Sequence, residues 1–354
     1  MTKPGDGEPE KGRRRKSPTL VDVANAAGVS VSTAGRVLQN QGWPVEEALK
    51  IRVLEAANRL AYVPNVMART LRAGAPGLVG LVTGNMLDPY FGEIGEAVTR
   101  HAETGSKMLV MVCNMQRNPR LELDYCRRLW EHRVAGLILS GGGFDQFTHR
   151  DELAALIESM ERSGVVVTAL TPRGIDIPTF CVDNERVGDL AAAEMLANGH
   201  RKFGILVGPI QSPVLKQRIS GITRRFEEAG VQHHLVETGF GQKFIVPAIE
   251  RMFAEHPDIT GVIAASGTTS INAVHAVSMT GRSVPDEVSV IGMGGGALAQ
   301  WTTPRLTRVD LALETCGRAA LDYIAARVAG SILPADFTVA PEVVRGESVA
   351  PARP

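Results

Sequence analysis

From Leu78 onward the chain alternates short apolar runs with helix-length amphipathic stretches, and this alternation restricts the fold more than any other feature. The runs are GLVGLV, KMLVMVC, VAGLILS, VVVTAL, KFGILVG, GVIAAS and VSVIGMG, with helical patterns between them at about 91–105, 120–132, 147–163, 186–198, 214–229, 244–256, 269–280 and 312–329. Strands that are apolar throughout are buried on both faces, and strands joined by helices are parallel with right-handed crossovers. About 270 residues of this pattern exceed one sheet with short loops. The expected fold is an α/β core of two doubly wound parallel-sheet lobes, with a ligand cleft at their strand C-terminal ends.

Upstream the period changes to that of helices. Thr19 is placed to cap LVDVANAA, and Gly28 stops that helix. Ser30 is placed to cap VSTAGRVLQ. A third helix, about Glu46 to Leu60, sets Val53, Leu54, Ala57 and Leu60 on one face, and Pro64 ends it. A helix-turn-helix needs a small residue at its crossing, a glycine in the left-handed turn and apolar residues facing inward. Ala24, Gly28, Ala34 and Val37 meet those needs. Val31, Ser32 and Thr33 would then face a DNA major groove, with Arg36 nearby. A three-helix bundle with no DNA role fits the same window.

Charge supports a polyanion partner at this end. Residues 1–72 hold 12 Lys and Arg against 7 Asp and Glu, a net of +5, so the remainder of the neutral chain carries −5. Residues 1–18 read as a disordered basic arm whose KGRRRK run either touches phosphates or only solubilises. The other expected divisions are a helix-turn-helix domain over 19–64, a hinge helix or linker over 65–77, and the core over 78–350, with the chain crossing between its lobes. The polar N-terminus has no apolar signal region, and no run approaches the roughly 18 residues of a membrane span, so a cytoplasmic protein without membrane partners is expected. Cys113, Cys126, Cys181 and Cys316 form no CxxC pair, and the histidines form no metal-ligand spacing, so no metal or cofactor is expected.

TLVDVANAAGVSVSTAGRVL followed by LEAANRLAYVPNVMARTLRAG resembles the N-terminal segment of the lactose repressor family of bacterial transcription regulators. The likeness continues through GLVGLV with DPYF, VAGLILS, VDNERVGDLAAAEMLANGHRKFGILVGP, Arg218 before SGI, VPDEVSVIGMG, PRLTRV and VVRGES, in family order over roughly residues 19–348. The resemblance implies a homodimeric DNA-binding regulator, a repressor, with a periplasmic-binding-protein-like core. Such a regulator binds a palindromic double-stranded operator, and a small effector between the lobes changes operator affinity. It implies DNA contacts from Thr19, Val31, Ser32, Thr33 and Arg36, and from the hinge residues Asn65, Ala68 and Leu71, with Ala68 and Leu71 entering the minor groove. It implies effector contacts from Asp88, Tyr90, Phe91, Arg173, Arg218, Ser266 and the position of Gly294. No heptad-bearing tail follows the last family segment, so a dimer is expected rather than a tail-joined tetramer.

Two departures from the family bear on function. Gly35 stands where members usually carry a serine able to bind phosphate, at a cost of about 1 kcal/mol inside a helix. In the cleft, the strand-end ND is Ser266–Gly267, and Gly294 replaces the aspartate that commonly holds sugar hydroxyls. A carboxylate accepts two hydroxyl donors and repels anions. Its loss fits an anionic effector such as a sugar acid, an apolar one, or a degraded site. Two other classes share the core pattern: a solute-binding protein of the same fold and an α/β enzyme. The glycine-rich loops SGGGF and GMGGG fit neither dinucleotide nor P-loop fingerprints, and no GxSxG elbow is present.

Overall fold

The computed structural model describes residues 17–39, 45–63, 77–141, 147–239, 242–335 and 337–353. The chain divides into two compact units, Met1–Ala75 and Pro76–Pro354.

The first unit contains α1 (Leu20–Ala27), α2 (Val31–Gln39) and α3 (Glu47–Arg59). Thr19 begins α1 with a reciprocal cap: its Oγ1 accepts from Asp22 N, and Asp22 Oδ2 accepts from Thr19 N at 2.8 Å. Gly28 closes the helix at φ +64°, where a Cβ would stand 2.8 Å from Arg52 Nη2, so both backbone and space favour glycine. Ser30 Oγ accepts from Thr33 N at 3.0 Å and begins α2. The core is small: Val23, Ala24, Ala27, Ala34, Val53, Ala56 and Ala57, with Val37 and Leu60 packed against it. Leu54, expected inside, is 42% exposed, and Ala56 takes the inward position. The closely approaching helices leave room there for a methyl group.

The second unit has two lobes. In lobe 1, β1 (Leu78–Thr83), β2 (Leu109–Asn114), β3 (Gly136–Leu139) and β4 (Val166–Ala169) form a parallel sheet in the order β2-β1-β3-β4. Beside it β5 (Phe180–Val182) pairs in parallel with β11 (Phe337–Val339), reached through a bridge from Ala169 to Thr179. Its helices are α4 (Pro89–His101), continued by a π turn over Ala102–Ser106, α5 (Pro119–Glu131), α6 (Phe147–Arg162) and α11 (Leu313–Val328).

In lobe 2, β6 (Lys202–Val207), β7 (Gln232–Glu237), β8 (Gly261–Ala264), β9 (Ser289–Met293), β10 (Thr307–Asp310) and β12 (Glu342–Val344) lie in the order β12-β10-β9-β8-β6-β7. Only the β10–β12 pair is antiparallel. Its helices are α7 (Asn184–Ala197), α8 (Pro213–Glu228), α9 (Gln242–Glu255) and α10 (Gly267–Met279). The chain passes between lobes three times: at Asp183, around Leu311–Ala312, and between β11 and β12. One apolar core runs through both lobes along the inner sheet faces, from Val79 and Leu81 to Val309 and Leu311. A separate cluster fills the outer face of each sheet. All seven apolar runs are strands, and the eight helical patterns are helices. Among the described residues, no helix is long and apolar enough to cross a membrane.

Candidate functional site

The helix corner presents the start of α2. Val31, Ser32 and Arg36 are exposed, and Thr33 is half-buried with its hydroxyl 2.8 Å from that of Ser30. Thr19 is spent on capping α1 through the hydroxyl it presents to Asp22 N. Gly35 is buried beside Ala34, so that side of α2 faces the helical core. Asn65, Ala68 and Leu71 lie outside the described residues, as does Pro64.

An open cleft of about 100 Å³ lies between strand C-terminal ends of both lobes of the core. Lobe 1 lines it with Gly84, Asp88, Tyr90, Phe91, Arg117, Ser140, Gly141 and Thr171, and lobe 2 with Ser212, Val214, Leu215, Arg218, Ser266 and Gly267. Asp88 ends the loop after β1 and caps α4, its Oδ1 accepting from Tyr90 N at 3.2 Å. Its Oδ2 accepts from Arg117 Nη2 at 2.7 Å. Tyr90 and Phe91 stand edge to face with centroids 4.9 Å apart. Burial pushes the Tyr90 phenol up, opposed by nearby Arg218.

Arg218 is 3% exposed on the inner side of α8. Its Nε donates to Asn184 Oδ1 at 3.0 Å and its Nη1 to Ala265 O at 2.9 Å. Burial brings the guanidinium down to about 10, with Tyr90 and Asp88 pulling the other way, so it stays charged at neutral pH. Its backbone is fixed by contact: a Cβ on Gly188 of α7 would run into the Arg218 carbonyl, and one on Gly221 of α8 into that of Glu185. Ser266 caps α10 through Thr269. Thr171 Oγ1 is buried with no hydrogen-bond partner among the described residues.

Five of the expected effector residues therefore meet in one cleft: Asp88, Tyr90, Phe91, Arg218 and Ser266. Two do not line it. Arg173 turns behind the wall, donating to the Gly141 carbonyl and to Glu122 Oε1, because α5 directs that glutamate inward, where it is 4% exposed. Gly294 takes φ +78°, and a Cβ there would point at Leu311, 2.8 Å away, rather than into the cleft. Arg117 is the residue that sequence reading passed over. It sits in a turn with Gln116, both at positive φ (56° and 52°), after β2. The Asn118–Pro119 pair that caps α5 marks that strand end and was the available signal.

A second groove, about 550 Å³, runs along α4 beside residues 295–298. There Glu93 stands against Gly296, and burial pushes it up to about 7, with Asp310 adding to the shift and Arg308 opposing it. Among the described residues, no group of His, Cys, Asp or Glu could hold a metal ion.

Residues 19–65 match the family of bacterial regulatory proteins named for lacI, and residues 192–349 match the periplasmic binding protein-like domain. The HTH-type transcriptional regulator DegA of Bacillus subtilis is 28% identical over 304 residues, covering 84% of this chain and 88% of DegA. The HTH-type transcriptional repressor PurR of Aliivibrio salmonicida is 26% identical over 335 residues, covering 94% and 98%. Among solved structures, the lac repressor dimer bound to operator and the anti-inducer ONPF superposes with a TM-score of 0.80 at 22% identity, covering 95% of this chain and all of that one. A helix-turn-helix of the lacI type, joined to a two-lobed periplasmic-binding-protein-like core, makes this chain a member of the lactose repressor family of bacterial transcription regulators.

Proposed function

We propose that this protein is a cytoplasmic transcriptional repressor, and not an enzyme, that binds a palindromic operator as a homodimer and releases or tightens that hold when a small anion occupies its cleft. The observation that carries the DNA-binding half is the exposed start of α2, with Val31 and Ser32 ahead of Arg36 on a corner closed by Gly28. The names of the relatives, HTH-type regulators and repressors, support it. Asn65, Ala68 and Leu71 supply the hinge contact, Leu71 as a minor-groove wedge that bends the duplex. For the effector half, support comes from a buried cation, Arg218, on a lobe 2 wall that carries no carboxylate among the described residues. A bound anion touching both lobes favours their closed arrangement by its differential affinity.

The test is selection of bound sequences from random DNA with the full chain. The expected result is a palindrome bound with an affinity that falls steeply with salt, as released counterions require. Absence of any enriched sequence, or retention of specific binding after removal of residues 1–76, overturns the reading.

A further inference from the structure

Resting on the reading of the cleft as an effector site, we propose that its ligand is a short-chain hydroxy acid, a monoanion whose carboxylate meets Arg218 on lobe 2 and whose hydroxyl meets Thr171 on lobe 1. Four observations converge on this. First, among the described residues the charges lining the cleft are Arg117, Asp88 and Arg218, and Asp88 is already held by Arg117 at 2.7 Å. Among these groups one positive charge exceeds the negative ones, which matches one negative charge on the ligand. A phosphate dianion would bring a second charge toward Asp88 with nothing to balance it.

Second, Arg218 holds two neutral oxygens through Nε and Nη1, and Nη2 makes no further hydrogen bond among the described residues. That nitrogen is placed to receive a carboxylate in a charge-assisted bond. The first turns of α8 and α10, through Ser212, Val214, Ser266 and Gly267, line the same wall and add their positive dipole ends.

Third, Thr171 is 7% exposed, lines the cleft from the opposite lobe, and leaves its hydroxyl without a partner among the described residues. Buried hydroxyls in folded proteins are nearly always bonded, and a hydroxyl both donates and accepts, so a ligand hydroxyl completes it. Fourth, the space is about 100 Å³. An enclosed apolar cavity of about 150 Å³ takes benzene, so the inner part of this open cleft is matched in size by a chain of a few carbons. Among the described residues a neutral sugar also finds no free carboxylate pair here, since positions 267 and 294 are glycines and both Asp88 oxygens are engaged.

Calorimetry on the full-length protein with lactate, glycerate, propionate, glycerol and glycerol 3-phosphate tests this. Lactate and glycerate should bind, propionate should bind about tenfold more weakly for want of the hydroxyl, and glycerol and glycerol 3-phosphate should give no heat of binding. Thr171→Val should bring lactate down to the affinity of propionate while propionate itself changes less than twofold, and Thr171→Ser should keep the hydroxyl preference. The proposal is overturned if neither acid binds, if glycerol 3-phosphate binds more tightly than glycerate, or if Thr171→Val retains the preference for lactate over propionate. Operator affinity separates this from the reading beneath it. Acids that bind with the Thr171 dependence yet leave operator affinity unchanged refute the effector role and keep the ligand assignment. A neutral sugar that shifts operator affinity while the acids do not bind does the reverse.

Discussion

Two buried arginines, one behind the lobe 1 wall of the cleft and one lining its lobe 2 wall, look alike in sequence and differ in what surrounds them. Arg173 of lobe 1 has its own carboxylate, Glu122, and a backbone carbonyl from the Gly141 loop. Arg218 of lobe 2 has, among the described residues, neutral oxygens as partners, from Asn184 and Ala265. A buried guanidinium with an internal counter-ion is committed to holding the fold, since its charge is already balanced. One held by amide and carbonyl dipoles keeps a net charge that an incoming anion can balance. The comparison separates structural from ligand-directed arginines by partner type, although burial is similar for both.

The largest expected effect is on the lobe 1 side. Arg173→Met leaves Glu122 buried without its partner and should lower the unfolding free energy by about 3–5 kcal/mol, measured by urea denaturation. A loss below about 1 kcal/mol would mean the pair is not the structural element described. Next, Arg218→Ala should reduce affinity for an anionic effector by about 2–5 kcal/mol in calorimetry. Equal affinity for the effector in wild type and variant would remove the contrast between the two arginines. Asp88→Asn strips Arg117 of its counter-charge and makes the cleft more cationic. Glycerol 3-phosphate, expected to give no heat with the wild type, should bind the variant measurably in calorimetry, and a variant that still gives no heat would show that Asp88 does not set ligand charge.

The smallest expected effect concerns Glu93, at the edge of both lobes. Its folded-state proton is held more tightly than in the unfolded chain, up to about 7 from 4.5. The associated stability is fully present below about pH 4.5 and is lost as pH rises through about 7. Glu93→Gln should flatten the change in melting temperature between those limits and stabilise the protein at pH 8, on the order of 1 kcal/mol after solvent screening. A variant with the wild-type pH slope would refute the assignment.

The seven strands expected from apolar runs were legible because each run is continuous; six are buried along most of their length, whereas β2, at the edge of its sheet, keeps an apolar run although Leu109 is exposed. The strands that sequence reading did not separate, β5, β7, β10, β11 and β12, lack such a run. QHHLVE and TRVD mix charge and imidazole with apolar residues, and FCV, FTV and EVV span only three residues each. At the sheet edges β7 and β12, short or polar strands limit edge-to-edge pairing and remove the signal at the same time, whereas β10 is interior and its run is broken by Arg308 and Asp310. In the site, cap residues and strand ends were readable: Thr19, Ser30, Asp88, Ser266. The destination of a long side chain was not. Arg173 follows β4 as the pattern suggested, yet its direction depends on Glu122 from a helix 51 positions away in sequence. Gly294 aligned with a cleft residue, but its left-handed backbone aims the side-chain direction at Leu311.

The glycine contacts between α7 and α8 have a consequence for how such a regulator can change over generations. With Gly188 against the Arg218 carbonyl and Gly221 against that of Glu185, the two helices meet backbone to backbone. No side chain there can be enlarged or trimmed to shift Arg218. Natural variation in effector preference is therefore channelled to the loops after β1, β2 and β4, where Asp88, Arg117 and Thr171 are carried on segments that tolerate replacement. Lineages descended from this chain should keep the cation in place and trade its opposite wall.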